Sequence, residues 1–307
     1  MSANVETMFY VREVPWHGLG TRVEEAPNSA DAIRLAELDW RVESNPIYDM
    51  YGKEIPGFVA NTRSSDNSVL GIVSPQYKIV QNSKAFEFTD SLLDEGVVYE
   101  TAGSLKDGKM IWLLAKMPQQ KILDDAFDPY ICFTNSHDGT GAVKVCMTPV
   151  RVVCNNTLNL ALSTAKRSWS ARHMGNIDSK LEEARHTLGL ANDYMKSLEE
   201  EADRLANIQV TDSQIIKMFD ELYPITAETT ARKIENINTI KDNFFRCYEM
   251  PDIRQFKNTA WGVINAISDQ ATHSNPGRMT QKYNENNWGR VINGHPLIDN
   301  IYKKIAA

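Results

Sequence analysis

The periodicity of this chain changes near its middle. Up to about Val150, apolar residues come in short alternating runs broken by turn-forming residues. From Ile177 to Asn207 they recur at three and four, with Leu181, Ala184, Leu188, Tyr194, Leu198, Ala202 and Leu205 in one seam and charges on the other faces. A repeat of two buries one face of a strand, and a repeat near 3.6 buries one stripe of a helix. The pattern therefore predicts an α+β protein: a β-hairpin-rich sheet with embedded helices, followed by a helical C-terminal region.

The alternating part reads as strands over Trp40 to Ile47, Pro56 to Asn61, Val69 to Ser74, Val97 to Ser104 and Lys109 to Lys116. Turn chemistry at Met50-Tyr51-Gly52-Lys53, Ser65-Asp66-Asn67 and Lys106-Asp107-Gly108 separates them. Two helices are expected inside this region, Ser29 to Leu38 with Ser29 as N-cap, and Ser83 to Glu95. A further hairpin is expected where Tyr130 to Thr134 and Ala142 to Met147 flank His137-Asp138-Gly139-Thr140-Gly141. Arg151 to Ala165 then shifts toward helical spacing. Beyond the long seam, Thr211-Asp212-Ser213 caps a shorter helix to Leu222, and helices over Thr226 to Tyr248 and Arg254 to Gln270 follow. The expected organisation is a sheet domain over 1–175, a helical region over 176–275 and a polar, aromatic tail over 276–307. In that tail Arg278, Lys282, Tyr283, Trp288 and Arg290 mix cations with aromatics, as a base-stacking arm does.

With 42% hydrophobic and 24% charged residues among 307, the composition is that of a globular chain with ample core. No apolar run approaches the roughly 20 residues of a membrane span, and the N-terminus carries no basic region followed by an apolar stretch. A cytoplasmic protein without membrane contact is expected. Cys132, Cys146, Cys154 and Cys247 match no metal-binding spacing and read as buried free thiols of a reducing compartment.

Charge is segregated. No Asp or Glu occurs between Asp138 and Asp178, whereas Lys144, Arg151, Lys166, Arg167, Arg172 and His173 fall inside that interval. The whole chain has a net charge of −7, so taking away the five Lys and Arg of the stripe leaves −12 for the remainder. An acidic body with a basic stripe can hold a polyanion, because the local field depends on where charges sit. Lys144, Arg151, Lys166, Arg167 and Arg172 are the candidate phosphate contacts, with His173 at the end of the track. Trp169 is the candidate base-stacking ring, and Asn155 and Asn156 are placed to meet phosphates or to cap a helix. Val143 to Leu162 is also apolar or rich in Asn and Thr, so a buried strand accounts for part of the acid depletion.

Other chemistries find little support. Cys154 with His137 or His173 would make a nucleophile, but Val152-Val153-Cys154 reads as buried. His137, Asp138 and His173 lack the close helical spacing of a metal site. There is no phosphate-binding Gly-x-x-x-x-Gly-Lys string, and His17-Gly18-Leu19-Gly20 has no preceding apolar strand. Trp16 and His17 read as anchors of the N-terminal segment. No catalytic residue, metal or organic cofactor is expected.

Three strings carry a family resemblance: Val14-Pro15-Trp16-His17-Gly18-Leu19-Gly20, Thr148-Pro149-Val150-Arg151-Val152-Val153-Cys154-Asn155-Asn156-Thr157-Leu158, and Thr259-Ala260-Trp261-Gly262-Val263-Ile264-Asn265-Ala266. With Tyr77 and Asn82 they resemble the phage/plasmid-like proteins that carry a domain of unknown function. The resemblance spans nearly the whole chain and implies a mobile-element gene expressed in a bacterial cytoplasm. By analogy of setting and layout it further implies a single-strand annealing recombination protein, assembled as a ring or filament with a basic groove.

The expectation is thus a single-stranded nucleic-acid-binding protein, with DNA as the strand and RNA as its alternative, acting as a homo-oligomer along the 144 to 173 stripe. A second expectation is an interaction protein that blocks or recruits a host defence factor through its acidic surface.

Overall fold

In the computed structural model the described residues are 5–11, 20–25, 28–87, 89–90, 96–151, 156–157, 162, 167–185, 187–273, 289–290 and 293–306. Strands fill most of the first half and helices most of the second, an α+β architecture as the change of period predicts. The chain divides into two interleaved units. The first comprises Met1–Pro118, Tyr130–Met147 and Arg167–Asn192, the second Gln119–Pro129, Thr148–Lys166 and Asp193–Ala307.

In the first unit the main sheet has the order β10, β9, β7, β6, β1, β2. These are β10 (Val143–Arg151), β9 (Asp125–Ser136), β7 (Met110–Lys116), β6 (Val98–Leu105), β1 (Val5–Tyr10) and β2 (Thr21–Arg22). The antiparallel ladder between β7 and β9 is unbroken from Met110 opposite Ser136 to Lys116 opposite Tyr130. β12 (Ser168–Ala171) pairs antiparallel with β10, Lys144 facing Ser170 and Val145 facing Trp169. The turn between β6 and β7 uses the predicted Lys106-Asp107-Gly108, all three at positive φ.

α1 (Ser29–Leu35) and α2 (Asn82–Glu87) pack together, and Phe9, Leu38, Phe86 and Phe133 are fully buried in this unit's core. The cap of α1 is one residue earlier than expected: the Asn28 side chain accepts from the Asp31 amide at 2.9 Å. Ser29 instead donates its hydroxyl to Asp90 at 2.6 Å, fastening the helix start to a distant segment.

A second sheet runs β3 (Val42–Tyr48), β4 (Glu54–Arg63), β5 (Val69–Val73), all antiparallel. Its outer hairpin is exposed on both faces. Tyr48, Met50, Tyr51 and Phe58 are all more than half exposed, Met50 and Tyr51 at 88% and 85%. Its base is tied down by Arg63, which meets Asp66 at 2.6 Å and Glu6 at 2.7 Å and lies over the Trp40 ring.

The second unit contains a small hairpin of β8 (Gln120–Ile122) on the start of β9, and β11 (Asn156–Thr157) on the end of β10. Within the helix expected over 151–165, the described residues Arg151, Asn156 and Thr157 are therefore strand. Pairing of Thr157 with Val150 overrides the local spacing.

α3 (Ile177–Arg185) lies in the first unit, and α4 (Thr187–Ala206) carries the chain on into the second. The second unit continues with α5 (Asp212–Leu222), α6 (Ala231–Tyr248), α7 (Pro251–Arg254), α8 (Ala260–His273) and α9 (Pro296–Ala306). Thr211 caps α5 in a full capping box with Gln214, as the Thr-Asp-Ser signal predicts. Every residue from Ala260 to Ser268 on α8 is buried, and α6, α7 and α9 pack against it. Gly262 is required there, because a Cβ would come within 2.2 Å of the Phe256 carbonyl oxygen. α9 changes the reading of the expected tail: Ile298 and Ile301 are buried, and Lys304 pairs with Glu221 at 2.8 Å. Arg278, Lys282, Tyr283 and Trp288 lie outside the described residues.

Candidate functional site

Three segments of the first unit converge on one cleft. The sharp turn after β9 brings Asp138, β5 brings Ile72 and Val73, and the stretch after β12 brings Arg172, His173 and Met174. The cleft holds about 590 Å3, within the usual range of small-ligand sites.

Backbone proximity builds it. At Gly71 on β5 a Cβ would lie 2.4 Å from the Asp138 Cα, so only glycine lets the strand approach the turn. The turn is braced from within by Asp138, whose Oδ1 accepts from Ser136 Oγ at 2.5 Å, Thr140 Oγ1 at 2.7 Å and the Thr140 amide at 2.9 Å. Burial works against this carboxylate's charge. The bonds from Ser136 and Thr140, with Lys106 nearby, outweigh it and hold the group below the usual range, so it is ionised at neutral pH.

Tyr77 forms the floor. It donates its hydroxyl to the Ser136 carbonyl at 2.5 Å and stacks on His173 with ring centroids 4.5 Å apart. The Lys78 carbonyl accepts from His173 Nδ1 at 2.9 Å, so Nδ1 carries the proton and Nε2 presents a lone pair. That Nε2 is buried without a hydrogen-bond partner. Burial lowers the His173 pKa, which keeps the ring neutral.

Behind the turn sits His137, fully buried, its Nε2 2.9 Å from Asn82 Oδ1, with Trp40 edge-on to its ring. Asn82 in turn donates to the carbonyl of Leu38 at 2.9 Å, which makes its Oδ1 the acceptor and His137 the donor. Desolvation, and then His173 nearby, push the His137 pKa down to about 3. His137, Asp138 and His173, the set whose spacing speaks against a metal site, do come near one another. Among the described residues, however, no group of three or more His, Cys, Asp or Glu side chains could hold a metal ion.

The stripe residues are dispersed. Arg172 is exposed on the cleft rim, and its guanidinium makes no hydrogen bond or ion pair with a described residue. Arg167 is turned inward, donating to the Met147 carbonyl at 2.9 Å. Lys144 is half-buried, and burial followed by the neighbouring Arg167 lowers its pKa, with Cys146 opposing. The β10–β12 register sends Lys144 and Trp169 to opposite faces of the sheet, so these two do not share one groove. Arg151 and Asn156 are described in backbone only, each on a strand, and Asn155, Lys166, Cys154, Trp16 and His17 lie outside the described residues. Cys132, Cys146 and Cys247 are buried free thiols.

From sequence, Tyr77 stands out only as a family-like position and Asp138 only as a turn residue. The acid gap, bounded by Asp138 itself, is the signal that links them to Arg172.

The fold and this cleft define an α+β protein with a site built from β5 of the smaller sheet, the turn after β9 and the stretch after β12. The chain belongs to the family of the domain of unknown function DUF932, whose model matches residues 69–290. No curated protein and no solved structure matches it. Among the described residues no helix is long and apolar enough to cross a membrane.

Proposed function

We propose that this protein binds single-stranded nucleic acid, DNA in the first instance, and acts in strand annealing as a homo-oligomer in the cytoplasm of a bacterial cell hosting a phage or plasmid. The observation that carries this reading is Arg172: an exposed guanidinium without a partner among the described residues, inside the acid-free interval, beside the stacked Tyr77 and His173. A strand crossing the cleft places a phosphate on Arg172. Trp169, half-exposed on β12, is a further ring for a base. Arg167 and Lys144 add positive potential from within the sheet, and Arg151, Lys166, Asn155 and Asn156 remain contacts proposed from the sequence alone. One chain offers few phosphate contacts, so useful affinity needs repetition around an assembly.

The exposed hairpin of β3 and β4 supports self-association. Tyr48, Met50, Tyr51 and Phe58 present apolar surface of the kind that marks protein contacts. The same surface favours the second reading, a complex with a host factor. The deciding experiment is fluorescence anisotropy of a labelled single strand at two salt concentrations, with light scattering on the free protein. Salt-sensitive binding by a large particle supports annealing. A small particle that binds no strand overturns it in favour of a host complex.

A further inference from the structure

The cleft offers a ligand one carboxylate acceptor and one cation. All three hydrogen bonds accepted by Asp138 go to Oδ1, which leaves Oδ2 of an ionised, half-buried carboxylate on the cleft wall. His173 lines the same cleft, is only 3% exposed, and holds a partnerless Nε2 lone pair because its proton sits on Nδ1. Arg172 stands at the rim. Ile72, Val73 and Met174 supply apolar wall. A ligand complementary to this set is flat and apolar on its faces, carries N–H donors on one edge, and has an anion a few ångströms away.

We propose that the cleft takes in one unpaired nucleobase and selects those bearing an exocyclic amino group, cytosine, adenine and guanine over thymine, with the adjoining phosphate on Arg172. This deepens, and rests on, the strand-binding reading above. The selection follows from the carboxylate. An amino group projects from the base edge and can donate to Asp138 Oδ2. In thymine the single N3–H is recessed between two carbonyl oxygens, which would face the carboxylate with like charge. The hydrogen bonds that Oδ1 accepts from Ser136 and Thr140 hold the carboxylate in place, so that Asp138 does not swing away to relieve that repulsion.

The test is anisotropy of labelled oligo(dC) and oligo(dT) of equal length, ring sizes being matched. The wild-type chain is expected to hold oligo(dC) about tenfold more tightly, the effect of one charge-assisted hydrogen bond. In Asp138→Asn one oxygen still serves Ser136 and Thr140 while the other position becomes a donor, so the preference should vanish or reverse. Ala142→Trp, which fills the cleft from its rim without altering the carboxylate, should also abolish it, and this variant serves if Asp138→Asn proves unfolded on melting. Equal wild-type affinity for the two strands overturns base selection and leaves strand binding standing. A preference that survives both folded variants overturns the assignment to this cleft. Failure to bind either strand overturns the strand-binding reading, and base selection with it.

Discussion

Tyr77 lies nearly parallel to His173, the planes 13° apart, and its hydroxyl reaches the carbonyl of Ser136, 59 positions along the chain. The ring holds the cleft floor by stacking and the hydroxyl holds it by hydrogen bonding. Tyr77→Phe keeps the first and removes the second, leaving a part-buried carbonyl without its donor. It should cost about 1 kcal/mol, and Tyr77→Ala about 3 kcal/mol or more, since the ring's packing is lost as well. Chemical denaturation of the two variants measures both.

Stability should fall with acid in a way set by the two buried histidines. His137 titrates near 3 in the fold, and His173 is also lowered. The unfolded chain takes up these protons first, near the ordinary value of about 6.5. Their contribution is therefore complete above that pH and is lost as pH falls toward 3, at up to about 1.4 kcal/mol per pH unit for His137. The urea midpoint should drop from neutral pH to moderately acid pH, and His137→Gln should flatten the dependence.

Position 71 should tolerate nothing larger than hydrogen. Gly71→Ala drives a Cβ into the backbone at Asp138 and should destabilise by roughly 1–3 kcal/mol. At Gly52, on the tip of the exposed hairpin, an added methyl would meet nothing within 4 Å, and its cost comes only from the positive φ of 76°. Melting temperatures of the two alanine variants should therefore separate, position 71 falling further.

Arg172 and Arg167 should behave differently under the same substitution. Arg172→Glu removes an exposed cation and should weaken strand binding about tenfold or more, lowering the salt slope by about one, with the melting temperature unchanged. Arg167→Glu breaks an inward hydrogen bond to Met147 and should lower the melting temperature as well.

Replacing Tyr48, Tyr51 and Phe58 together by Ser should leave the fold intact, since all three are more than half exposed, and should reduce particle size in light scattering if the hairpin joins copies.

Local signals in the sequence locate many of the elements. Thr211 with Gln214, Lys106-Asp107-Gly108, and the short apolar run along Met110–Lys116 each specify their structure within a few residues. β12 is hidden because Ser168-Trp169-Ser170-Ala171 is too short to show a period, and it becomes a strand through pairing with Val143 to Cys146. β11 reads as helix for the same reason in reverse. The cleft is the hardest to see: Gly71, Tyr77, Asp138 and His173 meet through contacts spanning tens of residues, and no local pattern announces such a meeting.

The chain passes between the two units after Pro118, Pro129, Met147, Lys166 and Asn192. Neither unit is a continuous stretch of the sequence, so no single cut in the chain frees either one for expression alone.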